Sequence, residues 1–263
     1  SENFQRFRAR GALHALGCLT EVLKQCSRSL SALFLTIGLS GVPEEFTNAL
    51  SHLALTKLTV KRHCFEPVAF SNILSVTQRC PNLTHLSLEI IEMEKCNFEP
   101  LAVCCLNLKR LSLHQTDDDG PIQNPFPIRG LESLPSLTHL KFDCIDSSNY
   151  QMLAKLENLQ ELHLIHWGSR ASEGLRFVES KIQHFVLENR GSFLPVPRLE
   201  FVCCHNLQSI VMSAEAEVSI MSGMRVVIQD CGKLEKLKSK NVIENWVTFE
   251  RCPLLKDMTF ELE

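Results

Sequence analysis

Twelve Cys and ten His are the residues of this 263-residue chain best suited to chemistry. Their spacing decides which chemistry is open to them. Five of the Cys open one recurring phrase, Cys-x-x-Leu-x-x-apolar, at Cys80, Cys105, Cys204, Cys231 and Cys252. Two further copies carry Leu134 and Leu156 in the Cys place. No Cys-x-x-Cys occurs, and Cys104-Cys105 and Cys203-Cys204 are adjacent pairs unsuited to zinc spacing. A disulfide framework belongs to short secreted chains. Here the chain is long and the Cys are locked to a repeat among apolar neighbours. They read as small buried hydrophobes, reduced thiols of a cytosolic or nuclear protein.

Nucleophilic use of a thiol is disfavoured by the same placement, because buried repeat-locked Cys are inert. The chain has no Gly-x-Ser-x-Gly elbow, no His-Glu-x-x-His and no Gly-rich phosphate loop. Asp117-Asp118-Asp119-Gly120 lacks the alternating oxygens and distal Glu of an EF-hand loop and reads as a solvated turn. Asn82-Leu83-Thr84 matches a glycosylation acceptor but falls inside the repeat core. No catalytic residue, metal ligand or cofactor is assigned, and the chain is read as a non-enzyme.

The His fall into a larger pattern. A frame Leu-x-x-Leu-x-Leu is anchored at Leu30, Leu55, Leu83, Leu108, Leu137, Leu159 and Ile182, with spacings of 25, 28, 25, 29, 22 and 23. This is the period and pattern of leucine-rich repeats. Each frame ends in a short strand whose alternate residues share a face. Positions two after the anchor read Lys57, His85, Arg110, His139, Glu161 and His184. Positions four after read Thr59, Ser87, Ser112, Lys141, His163 and Val186. Stacked at roughly 4.8 Å per strand, these columns form one polar surface on the concave sheet. Three readings of it are open: a solvated face, a protein-binding face of mixed charge and imidazole, and a zinc site at His139, His163 and His184. Zinc asks for tetrahedral convergence that a gently curved sheet rarely supplies. The candidate partner contacts are therefore His85, Arg110, His139, Lys141, Glu161, His163 and His184. Trp167 and Arg170, just past a strand end, are added as a loop-side contact because Trp and Arg often anchor interfaces.

The elements that must position these residues follow from the periodicities. Residues 1–26 read as an amphipathic helix capping the first repeat, through Phe4, Phe7, Leu13, Leu16, Leu19 and Leu23. Residues 27–190 read as strand-plus-helix repeats. Pro67 and Pro100 mark early helix starts, Ser147 to Asn149 cap a helix through Met152, Leu153 and Leu156, and Ser172 caps another through Leu175 and Val178. Residues 117–130, with three Pro and two Gly, and residues 191–197 break the rhythm. Residues 199–263 read as shorter, strand-rich repeats. The expected fold is an α/β solenoid with a parallel concave sheet, nearly all-strand in its last third.

Composition bounds the partner. The chain is 44% hydrophobic and 22% charged, enough for a core. Its net charge of −3, without a basic run, lacks the electrostatic footprint for nucleic acid. No apolar stretch reaches membrane-spanning length. The opening Ser1-Glu2-Asn3 has neither Met nor a leader pattern, as expected for a piece of a longer protein.

The run Cys80-Pro81-Asn82-Leu83-Thr84-His85-Leu86-Ser87-Leu88 resembles the Cys-Pro-x-Leu-x-x-Leu-x-Leu repeat of F-box leucine-rich-repeat proteins. Cys105-Leu106-Asn107-Leu108 and Cys252-Pro253-Leu254-Leu255 are similar. The resemblance covers roughly residues 26–263. It implies a horseshoe-shaped repeat domain and a substrate receptor of a ubiquitin ligase, joined to an adaptor through flanking regions absent here. No F-box stands ahead of the repeats, and Thr116 to Gly120 only loosely echo that family's Ile-Thr-Asp-x-Gly loop. The tail, with Asp230-Cys231-Gly232-Lys233-Leu234, resembles equally well the repeat region of nucleotide-binding immune receptors, which implies the alternative of an intracellular ligand sensor. No P-loop is present.

Overall fold

A computed structural model describes residues 6–11, 14–25, 30–37, 43–61, 70–90, 97–115, 130–143, 153, 155–166, 174–189, 198–214, 225–240 and 247–261. Two compact units divide the chain. The first lies within residues 1–116 and 128–137, the second within 117–127 and 138–263. Both are built of leucine-rich repeats. No helix among the described residues is long and apolar enough to cross a membrane.

In the first unit the order is β1 (Arg6–Gly11), α1 (His14–Gln25), β2 (Ala32–Ile37), α2 (Glu44–Ser51), β3 (Lys57–Lys61), α3 (Phe70–Thr77), β4 (His85–Ile90), α4 (Glu99–Cys104) and β5 (Arg110–Gln115). The five strands pair in sequence order, all parallel. The frame leucines stack in register: Leu33 on Leu58, Leu58 on Leu86, Leu86 on Leu111. Each is at most 2% exposed. Burying one such side chain stabilises by roughly 1.5–3 kcal/mol. Pro100 sits in the first turn of α4, where a missing N–H leaves no intrahelical bond unmade.

The second unit contains β6 (His139–Asp143), β7 (Glu161–His166), β8 (Leu175–Val178), β9 (His184–Asn189), β10 (Arg198–Val202), β11 (Ser209–Ala214), β12 (Arg225–Gln229), β13 (Lys236–Lys240), β14 (Val247–Glu250) and β15 (Asp257–Glu261). Its long sheet runs β6-β7-β9-β11-β13-β15, and a second sheet runs β14-β12-β10-β8. Every pair is parallel. From β8 onward each coil is thus two strands joined by a tight corner. Phe177, Phe185 and Phe201 fill the space between the sheets, with ring centroids 5.1–5.9 Å apart.

Two expectations are corrected. The helix expected across 1–26 contains a strand, β1, ahead of α1. The alternation of Arg6, Arg8 and Arg10 with Phe7 and Ala9 has the period of a strand, and β2 supplies a parallel partner. The helix expected through Leu175 and Val178 is β8 instead. Leu175 and Phe177 are buried while Arg176 and Val178 are exposed, so the period is two. The strand-rich region therefore begins at 175 rather than 199. The helix capped by Ser147 to Asn149, with Met152, lies outside the described residues, although Leu153 and Leu156 are buried.

The phrase that opens each frame has a mechanical role. The anchor N–H donates to the Cys carbonyl three residues earlier: Leu83 to Cys80 (3.1 Å), Leu108 to Cys105 (3.0 Å), Leu207 to Cys204 (3.0 Å) and Leu234 to Cys231 (3.1 Å). This closes a turn in which Pro81 and Pro253 take the position that tolerates a fixed φ. The thiol reaches the other way, to the coil before. Cys105 Sγ donates to the Thr77 carbonyl (3.8 Å), Cys204 to Phe177 (3.6 Å), Cys231 to Phe201 (3.7 Å) and Cys252 to Ile228 (3.7 Å). Cys is more than a small apolar filler here: it is a buried side chain with a weak donor aimed at a neighbouring repeat. At residues 179–182 the corner is one residue shorter; Ser180 stands in the Cys place, and its Oγ accepts the Ile182 N–H (3.2 Å).

The corners after β8, β10, β12 and β14 share a second feature. Glu179, Cys203, Asp230 and Arg251 all adopt left-handed backbone, with φ between 52 and 55°. A side chain in this region costs roughly 1–2 kcal/mol, partly matched by the extra chain entropy glycine loses on folding.

Three outcomes follow from this packing. Cys231→Ala lowers the free energy of unfolding by about 1–2 kcal/mol, measured by urea titration, as a buried sulfur and its bond are lost. Glu179→Gly raises it by about 0.5–1 kcal/mol in the same measurement. The third concerns Cys80, 1% exposed, whose thiol is pushed from 9.0 up to about 12 by burial and by neighbouring Cys104. The unfolded chain loses this proton near pH 9 while the folded chain keeps it. The stabilisation is full below pH 9 and is lost as pH rises towards 12. The stability difference between the native chain and Cys80→Ala therefore shrinks across that window; a constant difference contradicts the assignment.

Candidate partner-binding face

The columns expected from the anchor spacing are the columns observed. In the first unit His85 pairs in register with Lys57 on one side and Arg110 on the other, and Ser87 with Thr59 and Ser112. In the second, His139, Glu161, His184, Ser209, Lys236 and Asp257 form one row across six strands. Lys141, His163, Val186, Val211, Lys238 and Thr259 form the next. All twelve side chains are exposed or partly exposed, while the alternating Leu162, Leu164, Phe185 and Leu187 are buried.

The local phase comes from one ladder. The main-chain N–H one residue past each anchor donates to the carbonyl of the same position in the coil before. Thr84 donates to Thr56 (2.8 Å), Lys109 to Thr84 (2.9 Å), Gln160 to Thr138 (2.7 Å), Gln183 to Gln160 (2.7 Å) and Gln208 to Gln183 (2.8 Å). The next residue in each coil is the first outward one, so the ladder lines up the column.

Imidazoles on this face are held rather than loose. Thr84 Oγ1 donates to the Thr56 carbonyl (3.0 Å), so its lone pair accepts from His85 Nδ1, 2.8 Å away. Thr138 Oγ1 lies 2.8 Å from His139 Nδ1, and His139 Nε2 lies 3.1 Å from Glu161 Oε1. His163 Nε2 meets Glu188 Oε1 at 2.7 Å, and His184 Nδ1 meets Ser209 Oγ at 2.9 Å. Imidazole–carboxylate contacts of this length fix ring orientation and present a mixed-sign surface.

The Ser209–His184 contact is the one on which hydroxyl activation is built. No carboxylate among the described residues holds the other ring nitrogen of His184, so the constellation stops at two members. Among the described residues no three His, Cys, Asp or Glu converge as a metal site.

Of the candidate contacts, His139, Lys141, Glu161, His163 and His184 are brought together on one sheet. His85 and Arg110 are neighbours in the first unit. Trp167 and Arg170 lie outside the described residues. The spacing also places a third outward column six after the anchors, Lys61, Glu89, His114, Asp143, Ile165 and Glu188. Sequence reasoning did not single out Ser209, Lys236, Lys238 and Asp257, which follow from Leu207, Leu234 and Leu255 by the same two- and four-residue offsets. Ile165 sits in that sixth-position column yet is buried, so the column is not uniformly polar.

No family model and no curated protein matches the sequence. Among solved structures, the chain is similar to internalin C2 from Listeria monocytogenes str. 4b F2365, at 14% identity and a TM-score of 0.42, over 95% of this chain and 92% of that one. It is also similar to a chain of the Rad7 and Elc1 complex in yeast, at 12% identity and a TM-score of 0.31, over 93% of this chain and 87% of that one.

Proposed function

We propose that the chain is a non-catalytic protein-recognition module that binds a protein partner on the outward columns of its long parallel sheet. One observation carries the reading. Register places His139, Glu161 and His184 beside Lys141 and His163 as a contiguous array, with the rings oriented by Thr138, Glu161, Glu188 and Ser209. Pre-oriented side chains lose less freedom on binding, which is where an open sheet face gains affinity. Repeat arrays supply extended surfaces of this kind. Within that reading we assign the role of ubiquitin-ligase substrate receptor, on the Cys-Pro-Asn-Leu-Thr-His-Leu-Ser-Leu likeness at residues 80–88.

Partner capture by crosslinking mass spectrometry in native extract, followed by affinity measurement, tests the face. Lys141→Glu is expected to weaken binding by about tenfold, the effect of reversing one charge in a complementary contact. Affinity is expected to change between pH 6 and pH 8, where imidazoles titrate. Unchanged affinity in both experiments removes this face from the interaction. Recovery of a Skp-type adaptor and cullin with the full-length protein supports the ligase role, and their absence refutes it.

A further inference from the structure

The second sheet of the second unit carries a surface unlike that of the first. Its outward residues fall into three rows. Arg198 and Arg225 are direct cross-strand neighbours at the start of β10 and β12. Next come Arg176, Glu200, Val227 and Thr248, and then Val178, Val202, Gln229 and Glu250. Gly174, Arg176, Arg198, Glu200, Val202 and Val227 line a shallow groove of about 440 Å³.

Glu200 is the organising residue. It is only 8% exposed, yet it is charged and lies on the outward side. Its carboxylate accepts from Arg176 Nε (3.1 Å) and from Arg198 Nη2. Those contacts use one edge of each guanidinium. Their side chains remain 63% and 55% exposed, and each guanidinium has further N–H donors beyond the one bonded to Glu200. Arg225 is exposed and makes no ion pair among the described residues. Around Glu200 three guanidiniums face one carboxylate; Glu250, exposed on β14 in the third row, brings the formal surplus of the whole face to one positive charge. Like charges directly opposite across a sheet are destabilising, and Arg198 beside Arg225 is such a pair. An added anion relieves it. Arg is suited to the task because its planar fork meets carboxylate or phosphate through two parallel bonds.

The rest of the face limits what carries the anion. Val178, 50% exposed, continues with Val202 and Val227 into an apolar strip beside the arginines. No aromatic side chain stands among the outward residues of β8, β10 and β12, whereas single-stranded nucleic acids are held by stacking on aromatics. The net charge of −3 argues in the same direction. We propose that this groove, with Arg225 and Val178 flanking it as cross-strand neighbours of Arg198 and Val202, docks an extended peptide segment of a protein partner, with an anionic side chain on Arg176, Arg198 and Arg225 and apolar side chains on the valine strip. The site is separate from the imidazole face and does not depend on that face being used.

The test is fluorescence anisotropy with the full chain and four labelled probes: a Glu-Val-Glu-Val-Glu peptide, its central phosphoserine counterpart, a neutral Ser-Val-Ser-Val-Ser peptide and a short oligothymidylate. Inorganic phosphate serves as competitor. At least one anionic peptide binds, and the tighter of the two identifies the anion as carboxylate or phosphate. Arg225→Glu weakens that binding by about tenfold, and Val178→Glu weakens it likewise. Both positions are exposed, so an unchanged melting temperature shows that the variants fold. Lys141→Glu leaves peptide binding intact, which separates failure here from failure of the first reading. Equal binding of the neutral peptide, insensitivity to both variants, or binding of phosphate or oligothymidylate without either anionic peptide overturns the proposal.

Discussion

The main-chain hydrogen bond between equivalent residues of successive coils is the constraint on which the rest of each unit depends. It links one residue past each anchor to the same place in the coil before, as from Thr84 to Thr56 or from Gln208 to Gln183. Because the donor and acceptor occupy one repeat position, the bond admits a single phase. Leucine then stacks on leucine, and polar residue on polar residue. A slip by one would turn Leu86 and Leu88 outward and bring His85 and Ser87 into the core. The thiol bonds reinforce the same phase from the buried side. Cys105 grips Thr77, and Cys231 grips Phe201, each from the coil that follows.

The two faces proposed for recognition arise from this constraint for a geometric reason. A strand that buries every second side chain must show the others. In the second unit the long sheet shows one set, and the sheet of β8, β10, β12 and β14 shows another. What distinguishes them from ordinary solvated faces is that neighbouring side chains hold their charged groups. Thr138 and Glu161 hold His139; Glu188 holds His163; Glu200 holds Arg176 and Arg198. Side chains arranged before a partner arrives have less to lose on meeting it.

The columns of the long sheet were legible in the sequence because offsets of two and four from the anchor leucines place their outward residues. Periodicity along one segment was less informative where two periods competed. Leu175 and Val178 are three apart, as on a helix, but the neighbouring Phe177 settles the matter only once β10 lies alongside. Residues 6–11 pose the same problem, and parallel pairing with Ala32–Ile37 resolves it. Side-chain bonds between coils were not legible. Glu200 looks like any outward strand residue until Arg176, from an earlier coil, closes over it. The donor role of the Cys thiols depends likewise on a carbonyl more than twenty residues away, which no local window contains.

The left-handed corners at Glu179, Cys203, Asp230 and Arg251 bear on how such a chain can change over generations. Each holds a side chain where glycine would be more comfortable, and of the four only Asp230 and Arg251 bond to each other. Such positions are a reserve of robustness. A glycine acquired at one of them offsets the small losses incurred when outward residues are rewritten for a new partner. The corner geometry is common to successive coils, so that reserve recurs along the array, close to the surfaces on which specificity would diverge.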